Sequence, residues 1–288
     1  MRVAIFAEDP DWHCRRLIAA FRRHGGEVVM ESLRRCRLHI AGGSAEVEIP
    51  SLGGGLPDIA FVRSIPNGSF EQVTFRLSML HALGELGTRV VNTARAIERC
   101  VDKSMTSFLL ARAGIPTPAT FVTEEIDPAA SWRAIRPCDI VAKPLFGAQG
   151  RGLRRIDSAA VLPDPAEGFN GVLYLQHYVG RDDGWRDFRV FVVGEVAVAA
   201  MARRGASWIT NVARGGTCEP AAVAGRLGDL AVAASRAVGT AYCGVDLIEN
   251  AEGELVVLEV NSMPAWKGLQ SVAEIDIADR IARHVVTL

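Results

Sequence analysis

The chain has 288 residues, enough to bury a sizeable core, and its length predicts two or three lobes rather than one domain. A formal net charge of −1 and 49% apolar residues exclude a general attraction to nucleic acid or membrane surfaces. No apolar run approaches the roughly 20 residues needed to span a bilayer, and the N-terminal run is too short for a signal peptide. Six scattered cysteines lack metal-ligand spacing, which predicts reduced thiols in a cytosolic protein.

The first part of the chain alternates strand and helix patterns, which predicts a small parallel α/β lobe. The predicted elements are a strand at Val3–Phe6, a helix near Cys14–Arg23, strands near Val28–Met30 and at Ile59–Val62, a helix at Gln72–Leu86 and a strand at 90–91. This lobe has no G-x-G-x-x-G motif, so it predicts no dinucleotide site, and the glycine run at 53–55 is interpreted as a flexible loop.

The remainder of the chain predicts two α+β lobes. The predicted elements are helices at Ala94–Cys100 and Lys103–Ala113, strands at 140–143, 153–156 and 172–178, a hairpin of 186–193 with 196–203, a helix at about 222–238, an acidic hairpin and a last helix at 273–286. We expect an N-terminal α/β domain at residues 1–97, a central subdomain at 98–180 that contains a glycine-rich loop, and a C-terminal subdomain at 181–288.

The acidic hairpin carries the clearest chemical signal. Two apolar runs flank Glu252-Gly253, a pair suited to a tight turn. A turn centred there places Asp246 opposite Glu259, and Asn261 shares their face because side chains alternate along a strand. The other face is expected to pack Val245, Leu247, Leu258 and Val260. Three oxygen ligands suit Mg²⁺ or Mn²⁺, although a polar face exposed to solvent is the alternative.

A glycine-rich loop at 147–152 connects two predicted strands. Its backbone N–H groups could approach phosphate oxygens closely, and Lys143 before it could supply a charge to the same phosphates. The loop is not a Walker motif, because no Lys-Ser/Thr pair and no helix follow it. Lys103 opens a helix, where a cation is unfavourable unless an anion compensates for the helix dipole; a tolerated surface lysine is the alternative.

Two further segments are candidates for ligand contacts. The end of the strand at 176–179 could offer backbone groups to a purine edge, or could be a plain strand end. Polar side chains also follow the predicted hairpin and the loop after it, where Asp187 and Arg189 share one face by the period of two. The alternative for this set is an exposed charged sheet face; its members are Asp187, Arg189, Arg203, Asn211 and Arg214.

The order of these motifs along the chain resembles the ATP-grasp superfamily, and within it the RimK-like α-L-glutamate ligases, over roughly residues 90–265. The matching segments are Asn92 with 96–97, then 102–103, 109–118, 141–144, 147–152, 176–178, 187–194, 199–203, 211–216 and the acidic hairpin. The resemblance implies an α/β ATP-grasp fold, in which a Rossmann-like parallel N-terminal lobe precedes two α+β subdomains that clamp a nucleotide.

The resemblance also implies roles for individual residues. Those expected to bind ATP are Lys103, Lys143, Gln149, Gly150, Gln176, His177, Tyr178, Val179, Asp187, Thr210 and Asn211. Two Mg²⁺ (or Mn²⁺) ions would be held by Asp246, Glu259 and Asn261, while Arg203 and Asn211 would act catalytically beside the transferred phosphoryl group. The residues expected to bind substrate are Arg189, Arg203, Arg214 and Gly215. His177 departs from the family, which usually has Glu there, so a side-chain contact by that Glu does not carry over.

The family's reaction agrees with this set of side chains. ATP phosphorylates a carboxylate to an acyl phosphate, an amine attacks the acyl carbon and phosphate leaves, which needs charge neutralisation rather than a protein nucleophile. The implied partners are ATP, L-glutamate and a carboxylate acceptor. Segments 11–13, 68–74, 185–186 and 208–210 are similar to ligases that act on tetrahydromethanopterin-type cofactors, and the first two are expected to shape the acceptor site. A ligase of other specificity, a regulator without catalysis and a homo-oligomer all remain open.

Overall fold

A computed structural model describes residues 1–147, 150–180 and 184–288 of the chain. The strands of the described residues are β1 (Arg2–Phe6), β2 (Glu27–Glu31), β3 (Arg37–Ala41), β4 (Ser44–Glu48), β5 (Ile59–Val62), β6 (Arg89–Val91), β7 (Thr120–Thr123), β8 (Ile140–Lys143), β9 (Arg154–Ile156), β10 (Leu173–His177), β11 (Trp185–Val193), β12 (Val196–Gly205), β13 (Thr217–Ala221), β14 (Tyr242–Glu249) and β15 (Leu255–Asn261). The helices are α1 (Trp12–Arg23), α2 (Phe70–Glu85), α3 (Ala94–Val101), α4 (Lys103–Arg112), α5 (Ile126–Ile135), α6 (Arg226–Val238), α7 (Lys267–Gln270) and α8 (Ile277–Thr287).

The N-terminal sheet has the strand order β2-β1-β5-β6, and all its pairs are parallel, which confirms the predicted α/β lobe. The chain first winds from β1 to β2 and then returns to place β5 on the other side of β1. Helix α1 covers this sheet because Cys14, Leu17 and Phe21 recur at helical spacing and are buried. Its N-terminus is capped by Asp11, whose carboxylate accepts a hydrogen bond of 2.8 Å from the backbone N of Cys14.

The other two large sheets are antiparallel. The middle sheet has the order β7-β10-β8-β9, with α5 packed against β7, and the C-terminal sheet has the order β13-β12-β11-β14-β15. Helix α6 covers the C-terminal sheet because its small apolar side chains Ala231, Ala234 and Val238 are fully buried. None of the helices in the three described stretches is long and apolar enough to cross a membrane.

One apolar core joins the N-terminal sheet to the C-terminal sheet. Phe61 of β5 stacks on Tyr242 of β14 with ring centroids 5.1 Å apart, and α8 packs its buried face into the same cluster. Asn92 ties the two parts together, since its side-chain N donates to the carbonyls of Tyr242 (2.9 Å) and Ser262 (2.7 Å). The middle sheet instead has a small core of its own, around Leu173 and Leu175.

The structure adds elements that the sequence patterns did not predict. These are β7, α5, β13, α7 and the β3–β4 hairpin. The hairpin turns at Gly42-Gly43, both at positive φ, so its two-residue glycine turn between alternating strands was a usable signal. The predicted helix at 222–238 begins only at Arg226, after β13, and the last helix begins at Ile277 rather than 273.

Candidate functional site

A cleft lies between the middle sheet and the C-terminal sheet. Its empty volume is about 880 Å³, a figure that includes open solvent at its mouth. The predicted residues that line it are Lys103, Lys143, Gly150, Gln176, His177, Tyr178, Val179, Asp187, Arg203, Thr210, Asn211, Asp246 and Glu259. Of the described residues predicted for the site, four lie outside this lining, namely Arg189, Arg214, Gly215 and Asn261. Gln149 lies outside the described residues.

The acidic hairpin forms with the predicted pairing, because Asp246 lies directly opposite Glu259. The register shifts by one residue just beyond Asp246, so that Leu247 pairs with Val257 and Leu258 is the extra residue of a bulge. Val257 is therefore buried in the core, whereas Leu258 lines the cleft. The prediction that Leu258 packs the opposite face is wrong for this reason.

The donor set on this hairpin fits a hard divalent cation. Among the described residues, no three His, Cys, Asp or Glu side chains are placed to hold a metal ion, so a site here depends on two carboxylates and one amide. The amide N of Asn261 donates to Glu259 Oε1 at 3.1 Å, which leaves the amide oxygen as an acceptor beside the carboxylates. Oxygen donors of this kind are the ligands that Mg²⁺ prefers.

Buried ion pairs connect this hairpin to the neighbouring strands. Arg189 binds Asp246 through two hydrogen bonds, Nε to Oδ1 at 2.7 Å and Nη2 to Oδ2 at 2.6 Å. Arg203 binds Asp187 through Nε at 2.8 Å and through Nη2, and its Nη2 lies 3.1 Å from Asp246 Oδ2. Arg203 is only 2% exposed and Asp187 6% exposed, so the alternative of an exposed charged sheet face is wrong for this pair, whereas Arg214 is exposed.

These contacts fix the charges in the cleft. Burial alone would raise the pKa of Asp246, but the charges of Arg189 and Arg203 hold that pKa well below its usual range. Burial alone would lower the pKa of Arg203, but Asp246 and Asp187 raise it. Asp187, expected to bind ATP, lines the cleft and also fixes the Arg203 guanidinium in a bidentate pair.

Only three lysines occur in the chain, and two of them face this cleft. Lys143 Nζ donates to Gln176 Oε1 at 2.6 Å, and burial lowers the pKa of Lys143 to about 8 although the charge of Glu259 opposes this. Gln176 is held in turn by donating to Thr120 and Tyr174, each at 3.1 Å. Lys143 is therefore part of a buried hydrogen-bond network and is not an exposed surface lysine.

Lys103 reaches the same cleft from the first residue of α4. Its Nζ donates to the carbonyls of Gly147 (2.9 Å) and Leu145 (3.3 Å), and burial lowers its pKa. Gly150 of the loop lies at φ +67°, and a Cβ there would be 2.8 Å from Asn211 Oδ1. Only glycine fits this approach, so the described part of the loop rests against the 209–211 segment across the cleft.

Aromatic groups close the end of the cleft at the 176–179 segment. The guanidinium of Arg155 lies over the Tyr178 ring, with Cζ 3.8 Å from the ring centroid. The Trp208 ring meets the same tyrosine edge-on, with ring centroids 6.2 Å apart. The His177 ring lies 4.9 Å from Trp132 of α5, and the backbone N atoms of His177 and Tyr178 donate within the sheet. The cleft-lining residues not predicted for the site include Trp208, Ile248 and Leu258.

Comparisons with known proteins agree with this geometry. A family model described as a RimK-like ATP-grasp domain matches residues 100–285. A tetrahydromethanopterin:α-L-glutamate ligase of Methanococcus maripaludis is 34% identical over 98% of this chain and 96% of its own. The protein of that name from Methanocaldococcus jannaschii is 37% identical over 80% of this chain and 79% of its own.

A solved structure extends the similarity to the whole fold. The ATP-grasp ligase PsnB complexed with a minimal precursor, Mg and ADP has a TM-score of 0.74, at 21% identity over 99% of this chain and 97% of its own. These relationships confirm the family, fold class and ligase activity expected from the sequence. A family match over more than half of the chain and relatives above 30% identity show that the protein belongs to the RimK-like ATP-grasp ligases.

Proposed function

We propose that this protein is an ATP- and magnesium-dependent ligase that joins the amine of L-glutamate to a carboxylate of an acceptor. The observation that supports this most strongly is the grouping of charges in one cleft. Lys143 of β8 and Lys103 at the start of α4 both line the cleft, and the paired carboxylates Asp246 and Glu259 lie on the C-terminal sheet. Such an arrangement of cations and oxygen ligands suits the triphosphate of ATP.

The two lysines would bind phosphate oxygens. Lys143 has lost most of its hydration, and a triphosphate would supply the negative charge that favours its protonated form. Lys103 would exchange the loop carbonyls of Leu145 and Gly147 for a phosphate oxygen. Asp246, Glu259 and Asn261 would hold magnesium, which when bound neutralises part of the phosphate charge.

The reaction follows from the chemistry of a carboxylate. An acceptor carboxylate oxygen attacks the γ-phosphorus, so that an acyl phosphate and ADP form. The amine of glutamate then attacks the acyl carbon, the C–O bond to phosphate breaks, and the amine loses a proton to give the amide. Arg203 would stabilise the transferred group, because its bidentate pair with Asp187 fixes the guanidinium in advance.

Protein nucleophiles are not needed in this scheme. Of the cysteines, Cys243 is fully buried and burial raises the pKa of its thiol to about 11; burial also raises the pKa of Cys218. Both thiols therefore stay protonated near neutral pH, and protonated thiols are poor nucleophiles. The scheme relies on alignment and charge, as phosphoryl transfer generally does.

For the acceptor we propose a pterin-type cofactor that ends in a carboxylate. The support comes from relatives named tetrahydromethanopterin:α-L-glutamate ligase, one of which aligns over 98% of this chain, including the N-terminal sheet. Segment 11–13 would lie at the end of the site that binds the acceptor. Segment 208–210 would lie at the end that binds the purine base of ATP.

The test is ligation by purified protein with ATP, magnesium, L-glutamate and a carboxylate-ended tetrahydropterin. We expect ADP release that requires every component, and a product heavier than the acceptor by one glutamyl residue in mass spectrometry. Replacing glutamate by aspartate or lysine tests the choice of amino acid, and replacing the pterin by a peptide or a free amino acid tests the acceptor. ATP binding without turnover across this panel would instead support a nucleotide-binding regulator.

A further inference from the structure

Arg63 lies where the winding of the N-terminal sheet reverses. It follows directly after β5, while Asp11 lies in the loop after the neighbouring strand β1. Because β2 and β5 flank β1 on opposite sides, the loops after β1 and β5 diverge, which makes this position a topological switch point of the sheet. Crevices at such a position, outside the carboxyl ends of parallel strands, commonly bind ligands.

The guanidinium of Arg63 is buried with few partners. The side chain is 12% exposed, its Nη1 donates to the carbonyl of Met263 at 3.1 Å, and its Cζ lies over the Trp266 ring, 5.6 Å from the ring centroid. Its Nε is buried and has no hydrogen-bond partner within the described residues. A guanidinium has five N–H donors, so this one retains donors for an additional acceptor.

The nearest carboxylate does not satisfy these donors. Asp11 Oδ2 lies 3.9 Å from Arg63 Nη2, which is too long for a hydrogen bond. Asp11 instead accepts from the backbone N of Cys14 at 2.8 Å and pairs with His13 Nδ1 at 2.9 Å. His13 Nε2 accepts from the backbone N of Trp266, so His13 is neutral and donates its other N–H to Asp11. The Asp11 carboxylate is therefore occupied by its hydrogen bonds to the N-terminus of α1 and to His13, and it does not pair with Arg63.

Arg63 is connected to the acidic pair through one short segment. Residues 262–266 directly follow Asn261, and Arg63 holds this segment at Met263 from the N-terminal side. From the other side, Arg189 reaches the carbonyl of Ala265 at 3.4 Å while it also binds Asp246. Of the three arginines expected to bind substrate, Arg189 and Arg203 are thus already engaged by Asp246 and Asp187, and Arg214 lies outside the lining of the cleft.

We propose that Arg63 binds a non-reacting carboxylate of an organic substrate at this switch point. The carboxylate belongs either to the incoming amino acid or to the acceptor, and both would present the planar group that a guanidinium binds in a fork. The Met263 carbonyl and the Trp266 ring position the guanidinium, and its free donors supply the recognition. This inference rests on the proposed function for the identity of the substrates, but it concerns binding and not phosphoryl transfer.

The test is calorimetric binding of L-glutamate and of the pterin acceptor, each measured separately with ATP analogue and magnesium present. Arg63→Lys keeps the positive charge but cannot form a bidentate pair with a carboxylate. We expect it to lower the affinity for one of the two substrates by about tenfold or more, while the nucleotide affinity stays within about twofold of the wild type. Arg63→Met should lower the affinity for that substrate further, because it also removes the charge. The substrate that loses affinity identifies the source of the carboxylate.

Arg89→Lys is the matched control. Arg89 begins β6, so it lies at the amino ends of the parallel strands while Arg63 lies at their carboxyl ends; like Arg63 it donates to one backbone carbonyl of the C-terminal part, that of Val285 at 3.0 Å. The inference would be overturned if Arg63→Lys and Arg89→Lys lost substrate affinity equally, or if Arg63→Lys kept its affinity for both organic substrates. Failure of the wild-type protein to bind either substrate would also overturn it. Substrate binding lost in Arg63→Lys without any turnover in the wild type would instead refute only the proposed reaction.

Discussion

Lys143 and Gln176 share a buried hydrogen bond of 2.6 Å, from Nζ to Oε1, at the floor of the cleft. Gln176 is itself fixed by Thr120 and Tyr174, so the ammonium group is positioned before any ligand binds. The bond satisfies one of its three N–H donors and leaves the others available to a ligand. Preorganised charge of this kind is what phosphate binding requires.

ATP affinity should depend on pH through Lys143. Burial lowers the pKa of this group from 10.5 to about 8, so the charge is complete below that pH and is lost as the pH rises through it. A triphosphate prefers the charged form, and ATP affinity should therefore fall above pH 8. Calorimetry should show proton uptake on binding in this range, and Lys143→Arg should flatten the dependence because arginine stays charged.

Lys143→Met should weaken ATP binding while the melting temperature of the nucleotide-free protein stays within a few degrees. The substitution removes a charge that is costly to bury, which offsets the loss of its bond to Gln176. Lys267→Met is the control, since Lys267 is the remaining lysine of the chain and is exposed. Nucleotide affinity equal to that of the wild type would remove Lys143 from the phosphate site.

Glu259→Gln should reduce ligation by at least about a hundredfold, equivalent to roughly 2.7 kcal/mol of transition-state stabilisation. Glutamine keeps the size of the side chain but removes one negative charge opposite Asp246, where a divalent cation would bind. The measurement is the turnover rate as a function of magnesium concentration, with thermal unfolding as a check of folding. Near-normal turnover at ordinary magnesium levels would contradict the metal assignment.

Asp187→Asn should destabilise the protein by about 3 kcal/mol, because removing one partner leaves a buried guanidinium incompletely paired. Asp187 is 6% exposed and Arg203 2% exposed. Glu219→Gln provides the control, since its pair with Arg204 lies on the surface and should contribute less than about 1 kcal/mol. Urea unfolding measures the free energy of unfolding of both variants. Equally small decreases would mean that the buried pair contributes little to stability.

Arg214→Lys should raise the Michaelis constant for the amino acid more than that for ATP, because lysine cannot form a bidentate pair with a carboxylate. Arg214 is exposed in a short 3-10 helix, and the contacts described for the chain include no hydrogen bond or ion pair from its side chain. Steady-state kinetics on the variant decide the question. A change confined to ATP, or no change, would assign Arg214 to the surface of the loop.

The sequence predicted the parts of the site that depend on neighbouring strands. The Asp246–Glu259 pairing was predicted from one hairpin; the hairpin of 186–193 with 196–203 was also predicted, and it places Asp187 opposite Arg203, a pair that was not itself predicted. Contacts between residues that do not lie on paired strands were not predictable, because nothing in the local pattern of Tyr178 indicates that Arg155 and Trp208 meet its ring. Leu258 was misplaced because a bulge reverses the alternation that the prediction assumed. The domain boundaries stay a prediction.

The core shared by the N-terminal and C-terminal sheets has a consequence for hydrogen exchange. Since Phe61, Tyr242 and α8 belong to one cluster, the amides of these two sheets should lose protection together, in a single opening event. The middle sheet, with its own core, should open separately and at lower free energy. A nucleotide that contacts both sides of the cleft would therefore slow exchange most strongly in β8 and β10, the strands that carry Lys143 and Gln176.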